Sequence, residues 1–191
     1  MPRPLREDYE GAWHHVMNRG AGRAQVLSSD ADRQLLLDCM VESFDRYGVQ
    51  LHVYCLMSTH YHFLVLSADA RLSEAMRFGI GKFTRLKNKR DDRDGPLFRG
   101  RFNSIAIDSD AHLIQAMRYI HLNPVEAGMV TEASDWLWSS AAVYLGGAPR
   151  PSWLQTSLIL DMFGPGNQVE ACRKHHAAGI DTGTREFYMR M

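Results

Sequence analysis

Two histidines separated by one residue, His60 and His62, stand in the run Met57-Ser58-Thr59-His60-Tyr61-His62-Phe63-Leu64-Val65-Leu66, which otherwise reads as a buried β-strand. Residues i and i+2 of a strand project from the same face. The two imidazoles are therefore expected side by side, about 7 Å apart along the strand axis. That is a start for a divalent-metal site, although two ligands do not complete one. Tyr119 and Asn123 stand four residues apart in a stretch of helical periodicity and so share one helix face. If that face lies over the histidine strand, a phenol, a carboxamide oxygen and two imidazoles converge. The asparagine oxygen suits Mg²⁺ or Mn²⁺, and imidazole suits Mn²⁺ and other transition ions. Such an ion polarises a phosphoryl oxygen while the tyrosine attacks as a covalent nucleophile. A site this poor in carboxylates holds Mg²⁺ only moderately, so a substrate phosphate is expected to add a ligand.

Charge clusters beside this constellation. Between positions 77 and 101 stand nine basic residues, Arg77, Lys82, Arg85, Lys87, Lys89, Arg90, Arg93, Arg99 and Arg101, against Asp91, Asp92 and Asp94, a local balance of about +6. Phe83, Phe98 and Phe102 interleave with them, a pattern that suits stacking of unpaired bases beside phosphate contacts. Arg77, Lys82, Arg85, Lys87, Lys89, Arg99 and Arg101 are the expected DNA-binding residues.

The elements that must position these groups follow from periodicity. Residues 13–19 read as a strand ending at the Gly20-Ala21-Gly22 turn. Ser28-Ser29-Asp30 offers a helix N-cap, and Leu35, Leu36, Cys39, Met40, Ser43 and Phe44 recur at helical spacing up to Gly48. Val49 to Met57 alternates as a second strand, Val49, Leu51, Val53, Cys55 and Met57 against Gln50, His52, Tyr54 and Leu56, and forms a hairpin with His60 to Leu66. A second helix is expected over 71–90, poorly capped by Ala70-Arg71, and a fourth strand over 97–107. Ser109 or Asp110 caps a third helix that Asn123-Pro124 stops or bends. The resulting order, β-α-β-β-α-β-α, is ferredoxin-like: an α+β fold whose antiparallel sheet carries its helices on one face. Residues 131–191 read as a C-terminal extension of turns and short helices following a catalytic domain of residues 1–130. Trp136 and Trp138 serve there as packing anchors, and the last dozen residues are expected to be disordered.

Composition sets wider bounds. The chain has 191 residues, 45% of them hydrophobic, and 22 basic against 22 acidic side chains, so net charge offers no case for nucleic acid beyond the local cluster. Cys39, Cys55 and Cys172 are too few and too far apart for a disulfide framework or a zinc motif and read as small core residues. No targeting segment or membrane span is expected, so the protein is expected in the cytoplasm, and a DNA-binding role would associate it with the nucleoid.

Four strings occur in order: His14-His15-Val16-Met17-Asn18-Arg19-Gly20; Tyr54-Cys55-Leu56-Met57-Ser58-Thr59-His60-Tyr61-His62; Gly95-Pro96-Leu97-Phe98-Arg99-Gly100-Arg101-Phe102; and Arg118-Tyr119-Ile120-His121-Leu122-Asn123-Pro124-Val125-Glu126-Ala127-Gly128. Together they resemble the REP-associated tyrosine transposases of the one-tyrosine HUH nuclease superfamily, over roughly residues 10–145. The resemblance implies a single-stranded DNA endonuclease and strand transferase acting on hairpins, with His60, His62 and Asn123 as ligands of Mg²⁺ or Mn²⁺ and Tyr119 as nucleophile. It implies a 5′-phosphotyrosyl enzyme with a free 3′-hydroxyl, and a monomer rather than the dimer of the insertion-sequence relatives. Tyr61 replaces an apolar residue of the pattern, and Thr59 an asparagine, which is expected to weaken a hydrogen bond behind the ligands.

Taken singly, each residue has a plainer reading: an exposed His pair, a packing tyrosine, a helix-stop asparagine, a solvated basic face. His14 and His15 receive no role, one being expected to face the core and one not, while His121, His175 and His176 read as structural or exposed. Two competing functions follow: a hairpin DNA- or RNA-binding regulator with little or no nuclease activity, and a metal-dependent hydrolase that uses water.

Overall fold

The computed structural model describes residues 7–189; the expectations for the first six residues and the last two lie outside them. Four strands, β1 (Ala12–Arg19), β2 (Val49–Leu56), β3 (His60–Ser67) and β4 (Asn103–Ile107), form one antiparallel sheet in the order β2-β3-β1-β4. Helix α1 (Asp30–Arg46) joins β1 to β2, α2 (Leu72–Arg90) joins β3 to β4, and α3 (Asp110–Glu126) follows β4. The ferredoxin-like order is as expected.

Helices do not all share one face of the sheet. Tyr61, Phe63 and Val65 of β3 enter a core with Leu36, Met40 and Phe44 of α1 and Leu72, Met76 and Phe83 of α2. Leu64 enters the opposite core, with Leu113, Ala116, Met117 and Ile120 of α3. Both faces of the central strands are apolar, so both need a cover, and the third helix provides the second. His60 and His62 alternate with Tyr61 and Phe63 and therefore face α3.

Three local departures matter for the site. The pairing of β2 with β3 slips between Leu51 and Val53. Val49 and Leu51 consequently face α1 and α2, whereas Val53 and Cys55 face α3. The single alternation expected across this strand breaks at His52, which is buried with its ring 4.4 Å from that of Trp13. The fourth strand begins only at Asn103. The preceding residues Leu97 and Phe98 turn into the core, held by a bridge between Gly20 and Phe98. Helix α3 runs through Pro124 to Glu126, one turn beyond the expected stop. Proline forfeits one backbone bond there, but Ala127 N–H still closes on the Asn123 carbonyl at 3.0 Å.

Caps explain the helix starts. Ser29 and Asp32 form a reciprocal capping box on α1. The weak local cap of α2 is relieved from a distance, by the Asp8 carboxylate accepting from Leu72 N–H at 2.9 Å.

Beyond α3 lie α4 (Ala141–Tyr144), α5 (Ser157–Asp161), α6 (Gln168–Ala177) and α7 (Thr182–Met189). The two tryptophans are anchors: Trp136 Nε1 donates to the Leu56 carbonyl at 3.2 Å and Trp138 Nε1 to the Asp30 carboxylate at 2.7 Å. Backbone bonds join Leu56 N–H to Trp138 O and Ser140 N–H to Tyr54 O. His121 is buried, bonded to His176 at 2.9 Å and to the Ser140 hydroxyl at 2.8 Å. Over the last dozen residues the expected disorder gives way to α7, whose Tyr188 is buried against the site. The three cysteines are free and buried. No helix among the described residues is long and apolar enough to cross a membrane.

Candidate active site

Helix α3 presents Tyr119 to the histidine face of the sheet. Its ring centroid lies 5.8 Å from that of His62 and 6.0 Å from that of His15, edge-on to both. His60 and His62 stand with ring centroids 5.1 Å apart and planes nearly perpendicular. One turn beyond Tyr119, the Asn123 Nδ2 donates to the Tyr119 carbonyl at 2.9 Å. With the nitrogen committed to the backbone, the amide oxygen is the atom left to offer an ion. The same amide influences both neighbours, favouring the charged form of the His60 ring and of the Tyr119 phenol. The four residues singled out by spacing thus meet in one place.

Burial decides their protonation. It lowers His60 to about 4 and His62 well below the ordinary histidine range, the charge of Arg19 adding to both effects. Both imidazoles are neutral near pH 7, the form that can ligate a cation. Burial pushes the Tyr119 phenol up, while Arg19 and the Asn123 amide pull it back.

The donor set suits a divalent ion. His62 Nε2 is buried with no hydrogen-bond partner among the described residues, and an orphaned buried nitrogen costs about 1–3 kcal/mol. A bound cation would relieve that cost. No three His, Cys, Asp or Glu side chains group around a metal position among the described residues. An ion here would rest on two imidazoles, the Asn123 oxygen and oxygens from outside the chain. Thr59, expected to be a weak substitute, places its hydroxyl 2.9 Å from His60 Nδ1 and so orients that ring.

His15 supports His62 from behind. Its Nε2 lies 2.9 Å from His62 Nδ1. Both His14 and His15 are buried, correcting the expectation that only one faces inward. Tyr188 stacks on the Tyr119 ring, centroids 4.3 Å apart and planes 22° from parallel, and sits edge-on to His15 at 5.0 Å.

The basic cluster divides. Arg77, Arg85, Lys89, Arg99 and Arg101 are exposed. Lys87 is not available to DNA: it is buried, pairing with Asp32 and Asp91 at 2.7 Å each. Lys82 pairs with Glu42. Phe83, Phe98 and Phe102 are buried in the core rather than exposed for base stacking. Helical and strand spacing marked them as interleaved with charge, and the same spacing is what turns them inward.

Residues 8–123, more than half of the chain, match the model of the family described as Transposase IS200 like. The chain belongs to the IS200-like transposase family. It is 27% identical over 110 residues to a Haemophilus influenzae protein named as a REP-associated tyrosine transposase, an alignment covering 52% of this chain and 62% of that one. A solved REP-associated tyrosine transposase bound to a REP hairpin shares the fold, with TM-score 0.65 and 21% identity, covering 81% of this chain and 98% of that one. Two residues of the site, His15 and Arg19, are not marked by local spacing. His15 lay in a noted string, but only strand pairing shows that it meets His62. Arg19 ends β1 opposite His60, a neighbour 41 positions away in the chain.

Proposed function

We propose that the protein cleaves and rejoins single-stranded DNA beside a hairpin, through a bond between Tyr119 and a 5′ phosphate. The observation that carries this reading is the Tyr119 ring held 5.8 Å from that of His62, with Asn123 one turn away. Family membership and the hairpin-bound relative support it.

In the proposed step the Tyr119 oxygen, having given up its proton, attacks phosphorus. The bond from phosphorus to the 3′ oxygen breaks, and that oxygen takes a proton to leave as a 3′-hydroxyl. Attack by a 3′-hydroxyl on the phosphotyrosine reverses the sequence and rejoins DNA. A Mg²⁺ or Mn²⁺ ion held by His60, His62 and Asn123 would supply charge neutralisation at a non-bridging phosphate oxygen. Exposed Arg77, Arg85, Lys89, Arg99 and Arg101 would meet the DNA backbone, making affinity fall with salt.

The test uses the full chain, Mn²⁺ and a labelled hairpin with single-stranded flanks. A DNA–protein adduct that survives denaturation should form, with the label on the tryptic peptide containing Tyr119, and chelation should prevent it. Turnover without an adduct would show a hydrolase using water. A binding-only reading has one observation in its favour, the Tyr188 ring covering Tyr119. Tight hairpin binding with no adduct, in both the intact chain and Tyr188→Ala, would establish it.

The His15 contact yields a second expectation. For His62 Nε2 to meet a cation, its proton must sit on Nδ1 and be donated to His15 Nε2. Burial holds His15 at about 3, neutral and able to accept. His15→Leu should weaken Mn²⁺ binding by about 10–100-fold in calorimetry, and an unchanged affinity would show that the bond does not set the ligand.

A further inference from the structure

We propose that Arg19 is a phosphate-binding residue of this site, holding a non-bridging oxygen of the phosphate that Tyr119 attacks. The proposal rests on the tyrosine reading above and deepens it.

Arg19 is the last residue of β1 and lies directly opposite His60 in the antiparallel pairing with β3. Residues opposite one another in such a pair project from the same face. The guanidinium therefore rises beside His60, on the face that Tyr119 covers. Its backbone is fixed on every side. The Arg19 carbonyl accepts from Arg99 N–H at 2.9 Å, and the next N–H, of Gly20, donates to the Thr59 carbonyl at 2.8 Å. Arg19 N–H donates to Asn18 Oδ1 at 2.8 Å, and Asn18 Nδ2 in turn donates to the Gly100 carbonyl at 3.0 Å. A Cβ on Gly20 would stand 2.3 Å from the Ala24 carbonyl oxygen, so only glycine permits the sharp turn that ends the strand at Arg19.

A rigid backbone thus carries an exposed side chain. No ion pair among the described residues engages Arg19. Elsewhere in the fold the buried basic groups Arg33, Lys87 and Arg118 are each matched by a carboxylate. The site around Arg19 holds two neutral imidazoles, a carboxamide and a phenol, none of which can neutralise it. The anion that must enter for the reaction is the phosphodiester. Negative charge grows on its non-bridging oxygens as the tyrosine bonds, and a planar guanidinium suits those oxygens. Arg19 is also the one charged side chain whose field acts on His60, His62 and Tyr119 together. That field favours the phenolate and disfavours a cation, so the same residue that helps the nucleophile must weaken the metal.

The opposing effects define the experiment. Single-turnover cleavage of the hairpin substrate, hairpin affinity by fluorescence anisotropy and Mn²⁺ affinity by calorimetry are measured for the intact chain, Arg19→Ala and Arg19→Lys. Arg19→Ala should slow cleavage about 100–1,000-fold, with hairpin affinity changed by less than about threefold and Mn²⁺ bound more tightly. Arg19→Lys should recover part of the rate, since it restores the charge without the fork. Cleavage by Arg19→Ala within about threefold of the intact chain would overturn the proposal. So would a loss of hairpin affinity as large as the loss of rate, or weakened Mn²⁺ binding, which marks a residue that only maintains the fold. If Tyr119→Phe forms the same adduct as the intact chain, the tyrosine reading itself fails. If only Arg19→Ala matches the intact chain, the Arg19 assignment alone fails.

Discussion

Tyr119→Phe is expected to lower hairpin cleavage and adduct formation by at least about 1,000-fold, since the variant lacks the only atom proposed to bond phosphorus. Affinity for the hairpin should stay within about twofold. The substitution removes one oxygen and keeps the ring, so the stack on Tyr188 and the edge contacts with His15 and His62 survive. Tyr119 is half-buried, and among the described residues no hydrogen bond ties its hydroxyl to another element. A melting temperature close to that of the intact chain therefore separates lost chemistry from lost structure. Gel-resolved adducts at matched protein concentrations give the measurement. An adduct that persists would move the nucleophile to another residue. Strand cleavage that persists without an adduct would make water the attacking group.

Asp32→Ala is expected to destabilise the fold by about 3–5 kcal/mol, because it breaks a buried ion pair from one side. Asp32 is 1% exposed and Lys87 4% exposed. The carboxylate accepts from Lys87 at 2.7 Å and from Arg90, while its other oxygen takes the Ser29 N–H and the Ser28 hydroxyl. Alanine leaves the Lys87 ammonium with Asp91 alone and opens the capping box of α1. Asp32→Asn preserves much of the cap and should recover roughly 1 kcal/mol of the loss. Burial by itself would raise the Asp32 carboxyl, but hydrogen bonds from Arg90, Lys87 and Ser29 outweigh it and hold the group well below the usual carboxylate range. The folded value is thus depressed. Its contribution is fully present above the unfolded value of about 4 and fades as pH falls toward the folded one. Urea titrations should show a wide gap between the intact chain and Asp32→Ala at pH 7 and a narrower one at pH 3. An equal gap at both would show that packing, not charge, is what alanine removes.

Strand and helix periods encode which residues share a face, and that much was legible. Alternation put His60 and His62 together, and the four-residue step put Tyr119 with Asn123. Which face meets which is a property of strand pairing and layer order, and no local pattern carries it. His15 meets His62 across 47 residues, and Asp8 caps a helix 64 residues away. The slip at His52 inverts the faces of β2 without any glycine or proline to announce it. Lys87 shows the other limit. In sequence it is one more cation in a basic run, and only the approach of α1 to α2 reveals Asp32 waiting for it. Phe98 reads as a strand residue by composition, yet it serves to pin the loop beside Arg19 into the core.

The segment laid along β2 after α3 has a consequence for how copies of this chain treat one another. A sheet's outermost strand carries unsatisfied amides and carbonyls that invite another strand. On β2 these groups are taken. Leu56 N–H and the Tyr54 carbonyl bond to Trp138 and Ser140, Tyr54 N–H to the Ser140 hydroxyl, the Leu51 carbonyl to Gln155, and the His52 carbonyl to the Tyr144 hydroxyl. From Leu51 to Leu56 that border is closed to another strand. The opposite border of the sheet is β4, with its five residues. One long edge of the sheet is thus kept from pairing with a second copy of itself.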